Sequence, residues 1–135
     1  MLISTRGRYA LRMLIELAES TDCGYIPMKD IAARQKISLK YLEQIIPVLT
    51  KSGIVEGVQG KGGGYRLLKK PEECKIGDIL RLTDGDLAPV ACLEAGAKPC
   101  ERTAECRTYP LWSDFYKLVN EFFDGKTLAD FVKKI

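Results

Sequence analysis

Histidine is absent from all 135 residues. That absence removes Ser-His-Asp and Cys-His catalysis, helical HExxH zinc sites and every zinc finger that needs imidazole. Any metal here must be bound by sulfur, oxygen or backbone. Long apolar runs are missing too: none approaches the roughly 20 residues a membrane-spanning helix requires. Met1 is not followed by a charged-then-apolar leader pattern, so a cytoplasmic location without a membrane partner is expected. The sequence also holds no CxxC pair, internal repeat, low-complexity segment or long linker.

What the chain does have is unevenly placed. Residues 1–70 carry 12 Lys/Arg against 6 Asp/Glu, and residues 71–135 carry 9 against 12. A basic front half suits a polyanion such as nucleic acid, although charge alone does not separate that from ordinary surface scatter. Three of the five cysteines fall within "ACLEAGAKPCERTAEC" at 91–106. In a reducing compartment such a cluster points to metal or redox chemistry rather than a disulfide framework.

The apolar spacing predicts a helix over "STRGRYALRMLIELAES", capped by Ser4 or Thr5, with Ala10, Met13, Leu14, Leu17 and Ala18 inward. "MKDIAARQ" is a short second helix after Pro27. Ser38 caps a third, "LKYLEQIIPVLTKSG", stopping at Gly53. Its expected buried stripe is Leu39, Leu42, Ile46 and Leu49, leaving Lys40, Tyr41, Glu43, Gln44 and Pro47 mostly on the other side. Pro47 inside that helix removes a backbone bond, and no function accounts for it. Two β-prone runs, "IVEGV" and "YRLLKK", then flank the basic glycine tip "QGKGGG".

Helix, short helix, helix and hairpin in that order describe a winged helix-turn-helix. The expected architecture is mainly α with a small β-hairpin wing over 1–70. Residues 71–135 hold a cysteine loop at about 88–109 and a long C-terminal helix. "IGDILRLTDG" is a further helix ended by Gly85. "PLWSDFYKLVNEFFDG" is a strong one, with Pro110 in its first turn. Leu111, Phe115, Leu118 and Phe122 line its apolar face, broadened by Trp112, Val119 and Phe123, and a face that wide needs a partner. "TLADFVKKI" closes the chain as a short helix capped by Thr127.

"GKGGGY" lacks the Ser/Thr that follows lysine in a P-loop, does not open a helix, and spaces its glycines too closely for a dinucleotide fold. A wing tip fits better, with Lys61 and Arg66 offering phosphate contacts. On the third helix, Gln44 has the donor and acceptor for adenine, and Glu43 can accept from a cytosine amino group. The spacing of Cys92, Cys100 and Cys106 leaves an iron–sulfur cluster, zinc and no metal level with one another. Cys23 and Cys74 read as ordinary small packed residues.

Taken together, "GRYALRML" at 7–14, "DIAARQKISLKYLEQI" at 30–45, "GGGYRL" at 62–67, "IGDILR" at 76–81, the cysteine triplet and "LWSDFYKLVNEFFDGKTLADFV" at 111–132 carry a resemblance over nearly the whole chain. The sequence resembles the iron–sulfur cluster regulator family of bacterial winged-helix transcription factors. The resemblance implies a homodimer whose long helices at 110–123 cross, bound to a roughly palindromic double-stranded DNA site. It implies Ser38, Lys40, Tyr41, Glu43 and Gln44 as recognition-helix positions, and Gln59 and Lys61 as wing positions. Glu43 matches a residue that restricts which sites the cluster-free form accepts. Gln59 stands where close relatives place arginine, which alters donor number and charge in the groove.

By the same resemblance, Cys92, Cys100 and Cys106 ligate a 2Fe–2S cluster, with cluster-assembly machinery as a further partner. The family's usual histidine ligand falls at Tyr109 here, so the fourth ligand passes to Glu101, Glu105, Thr108, Tyr109 or an oxygen donor of the other subunit. The function implied is transcriptional regulation through a labile cluster. The same fold responding to nitric oxide, redox stress or a metabolic partner, with another cluster, zinc or no metal, is the alternative. A small thiol or iron–sulfur enzyme is not expected, since no general base or cofactor loop accompanies the cysteines.

Overall fold

Ser4 sits just outside the first helix in extended conformation, and its hydroxyl accepts from the Gly7 N–H at 3.0 Å. The computed structural model, which describes residues 2–98 and 100–133, continues from that cap into α1 (Thr5–Glu19). Ala10, Met13, Leu14 and Leu17 are buried along one side of α1, as the spacing predicts. Next come α2 (Met28–Gln35) and α3 (Leu39–Lys51), whose N-cap Ser38 accepts from the Tyr41 N–H at 3.2 Å. The α2–α3 turn is set by Lys36, the one described non-glycine residue with positive φ.

The strands β1 (Val55–Val58) and β2 (Gly64–Leu67) pair antiparallel, with Val58 opposite Gly64. The second strand is shorter than "YRLLKK" suggests, although the Leu68 N–H still donates to the Ile54 carbonyl at 2.8 Å. A single bridge between Ile26 and Tyr65, bonded in both directions at 2.8 and 2.9 Å, ties the hairpin to the segment before α2. Gly64 makes this approach possible, because a Cβ there would run into the Ile26 carbonyl and the Pro27 nitrogen.

α4 (Ile76–Asp84) ends at Gly85 and packs on α1; α5 (Tyr109–Asp124) packs on α4. A 3-10 turn at Leu128–Phe131 carries the expected Thr127 cap, strengthened by Asp130 in a reciprocal capping box. The remainder of the predicted closing helix differs from this short turn, and positions 134–135 lie outside the described residues. Leu128 is buried beside α1, so the C-terminal segment joins the same apolar cluster as the helices of the front half.

The buried stripe of α3 is Leu42, Ile45, Ile46 and Leu49; Leu39 is 42% exposed. The correction follows from where α3 starts. Leu39 is the first helical residue after the cap, ahead of the turn that meets α1, whereas Ile45 completes the i, i+3, i+4 set with Leu42 and Leu49. α3 runs through Pro47 without interruption, and Pro47 is exposed, so the carbonyl it leaves unbonded has solvent nearby.

Candidate nucleic-acid interface and cysteine loop

The N-terminal half of α3 presents an exposed, mainly polar surface, with Leu39 as its apolar member. Ser38, Lys40, Glu43 and Gln44 are exposed, and Tyr41 is half-buried. Tyr41 is held edge-on against Tyr9 of α1, ring centres 5.4 Å apart, and Arg12 lies over the Tyr9 ring at 5.3 Å. This contact at the edge of the surface, with Leu42, Ile45, Ile46 and Leu49 buried behind it, fixes the roll of α3 about its axis and decides which side chains point outward. Gln59 and Lys61 are exposed at the wing tip, where Gly60 and Gly62 adopt positive φ.

Arg66 is engaged within the hairpin. Its guanidinium pairs with Glu56 across the hairpin and lies over the Tyr25 ring at 4.5 Å, while the Tyr25 hydroxyl donates to Glu56 at 2.9 Å. The Arg66 hydrogen bond, followed by that from Tyr25, holds the Glu56 carboxyl below its ordinary range. These three side chains brace the hairpin from the side, leaving Lys61 as the cation at its tip.

The cysteine loop joins α4 to α5. Cys92 lies in a 3-10 turn (Ala91–Leu93) and is exposed. Cys100, also exposed, starts a second turn in which its carbonyl accepts from the Thr103 N–H at 3.0 Å and hydroxyl at 2.8 Å. Cys106 is half-buried at the foot of α5, with its sulfur 3.5 Å from the Thr108 hydroxyl. The Thr108 hydroxyl, with the backbone N–H groups of Thr108 and Tyr109, stabilises the Cys106 thiolate and lowers its pKa. Burial pushes the Cys74 thiol the other way, consistent with a packed residue. Glu101, Glu105 and Thr108 are exposed, and Tyr109 is half-buried in the first turn of α5.

One carboxylate anchors the front of this loop. Asp86 accepts from the Ala88 and Ala95 N–H groups at 2.9 and 2.7 Å and from the Tyr116 hydroxyl of α5 at 2.7 Å. The Ala95 bond is the main reason its carboxyl is held below its ordinary range. The segment bearing Cys92 is thereby tied to α5. Sequence spacing could not have shown this, since Asp86 and Tyr116 lie 30 positions apart.

The donor types suit a thiolate-bound metal group: three cysteines on one surface loop, one with a favoured thiolate. Their positions do not gather them. Among the described residues, no group of three or more His, Cys, Asp or Glu side chains is placed to hold a metal ion.

A second exposed surface lies on α5. Leu111 is 58% exposed, Leu118 62% and Phe122 57%, with Phe115 beside them, whereas Val119 is buried against the chain's own core. One apolar stripe serves the fold and the other is uncovered. None of the described helices is long and apolar enough to cross a membrane.

The sequence model of the Rrf2 family, described as an iron-dependent transcriptional regulator, matches residues 3–134. The HTH-type transcriptional regulator IscR of Aliivibrio salmonicida is 37% identical over 130 residues, covering 96% of this chain and 76% of that protein. Among solved structures, CymR, the global cysteine regulator of B. subtilis, aligns with a TM-score of 0.81 at 37% identity, over 97% of this chain and 95% of that one. T. potens IscR aligns with a TM-score of 0.76 at 36% identity, over 97% of this chain and 85% of that one. These relatives are regulators of transcription rather than enzymes, and the solved ones share this chain's winged-helix fold.

Proposed function

Because the chain belongs to the Rrf2 family of transcriptional regulators, we propose that it binds double-stranded DNA in the cytoplasm as a homodimer and responds to iron–sulfur status through the cysteine loop. The observation that carries the DNA-binding part is the polar half of α3, exposed beside an exposed lysine-bearing wing tip. Ser38, Lys40, Tyr41, Glu43 and Gln44 then face the major groove, and Gln59 and Lys61 meet the neighbouring backbone or minor groove. Glu43 acts as a selector, since a carboxylate near phosphates is tolerated only where it meets a donor such as a cytosine amino group. The uncovered apolar ridge of α5 pairs two copies and places two α3 helices on a roughly palindromic site.

Cys92, Cys100 and Cys106 would hold a 2Fe–2S cluster, with an oxygen donor as fourth ligand from Glu101, Glu105, Thr108, Tyr109 or the second copy. When bound, the cluster supplies a redox-active centre that is more easily lost than one bound by thiolates alone. Asp86 and Tyr116 would carry a change in the loop to α5, and α4 would carry it toward α1 and α3. Anaerobic purification should yield coloured protein with iron and sulfide in equal amounts, and Cys92→Ser, Cys100→Ser and Cys106→Ser should each lose both. Colourless protein holding stoichiometric zinc would contradict the cluster.

A second reading rests on the separated cysteines and the favoured Cys106 thiolate: the loop senses thiol oxidation or a metabolic partner with no metal bound. The alignment with a cysteine regulator supports it. It predicts metal-free protein whose DNA binding changes on mild oxidation.

A further inference from the structure

Most arginines of the front half are engaged internally. Arg8 donates to the Thr5 hydroxyl, Arg12 to Gln35, Arg34 faces Glu16 at 4.0 Å, and Arg66 pairs with Glu56. Arg6, in the first turn of α1, differs. It is half-buried, its Nε is shielded from solvent, and that atom has no hydrogen-bond partner among the described residues. A shielded donor with no acceptor is costly and uncommon in a native fold, so its location is informative.

Arg6 lines a hollow of about 100 Å³ together with Tyr41, Gln44 and Ile45. Tyr41 and Gln44 lie three positions apart on the outward part of α3, so the hollow sits at the flank of the candidate DNA-reading surface. The nearby carboxylate at this end of α1 is committed: Asp84 accepts from the Ser4 N–H at 2.8 Å and from the Ser4 hydroxyl. It therefore neither satisfies Arg6 nor leaves the helix dipole free to bind an anion. Nε itself is enclosed, but Arg6 borders the hollow, and the terminal N–H groups of a guanidinium match the paired oxygens of a phosphate.

We propose that Arg6 binds a phosphodiester of the DNA backbone beside the bases met by α3, fixing how deeply and in what register that helix lies in the groove. This rests on the DNA-binding reading given above. Phosphate contacts position a protein without reading sequence, so Arg6 adds affinity on every duplex alike, whereas Glu43 and Gln44 discriminate between duplexes.

The test is a salt titration of binding to a mixed-sequence DNA duplex and to fragments recovered from a genomic selection, using the full chain and its Arg6→Gln and Arg6→Lys variants. Arg6→Gln should weaken binding by a similar factor on all duplexes and make the plot of log affinity against log salt shallower by about 0.9 for each phosphate no longer neutralised. Arg6→Lys, which keeps the charge but loses the fork, should retain the slope while giving up part of the affinity. A thermal melt of both variants separates these effects from unfolding. An unchanged slope in folded Arg6→Gln, or a weakening confined to certain sequences, overturns the phosphate contact while leaving the DNA-binding reading intact. Absence of salt-dependent duplex binding by the unmodified chain overturns both.

Discussion

Arg81 on α4 and Asp124 at the end of α5 are joined by two hydrogen bonds, guanidinium to carboxylate, of 2.8 and 3.0 Å. Arg81 also donates to Asn120 at 2.8 Å, so one side chain clasps a full turn of α5. Gly77 leaves room for the clasp, because a Cβ there would meet the Asp124 carboxylate. The helix that carries the uncovered ridge is thus held to the helix that packs on α1.

The Arg81 hydrogen bond holds the Asp124 carboxyl below its ordinary range, and the same bond raises Arg81. A depressed carboxyl contributes stability above its unfolded pKa and loses it as pH falls through the folded value. Both side chains are about one-third exposed, so solvent screening keeps the contribution modest. Asp124→Asn should lower stability at neutral pH by about 1 kcal/mol. Urea titrations of both proteins should converge once the medium is acidic enough to protonate Asp124.

Gly64→Ala should dislodge the wing. The new methyl would meet backbone atoms of Ile26 and Pro27, which cannot turn aside as a flexible side chain can, and φ at this residue is 153°. A loss of about 2 kcal/mol or more is expected from the combined clash and backbone strain. Thermal melting should show it, and amide exchange at Ile26 and Tyr65 should quicken.

On the proposed pairing of two copies through α5, Leu118→Glu and Phe122→Glu should abolish self-association without unfolding the chain. Both side chains are more than half exposed in the single copy, so the charge meets water rather than the core. Sedimentation should show monomers with unchanged helix content. Val119→Glu, by contrast, should unfold the protein because Val119 is buried.

Cys106 should be alkylated by iodoacetamide at neutral pH well before Cys74. The first has a favoured thiolate near the surface; the second is buried with its thiol pushed up. Thr108→Val removes the main interaction favouring the thiolate and should slow Cys106 selectively, as read by peptide mass.

Local signals were legible in the sequence wherever caps and periodicity act within one element. Ser4, Ser38 and Thr127 cap as their positions predict, and Leu111, Phe115, Leu118 and Phe122 form the ridge that the spacing implies. Leu39 misled because periodicity does not say where along a helix the neighbouring α1 begins to cover it. The pairing of Arg66 with Glu56 was not legible, because it depends on hairpin register, which the glycine tip alone does not specify. The Asp86–Tyr116 and Arg81–Asp124 contacts and the orphaned Arg6 arise between elements brought together only by folding. Chain spacing cannot mark them.

Coupling between the cysteine loop and DNA binding is read most directly from the affinity of anaerobically prepared protein for its selected genomic fragment, measured before and after brief air exposure. A change of about fivefold or more is expected, the lower end of ordinary coupling between sites, and it should disappear in the Cys92→Ser, Cys100→Ser and Cys106→Ser variants. Equal affinity in both states, or a change that persists in all three variants, would contradict a DNA-binding regulator controlled through these cysteines.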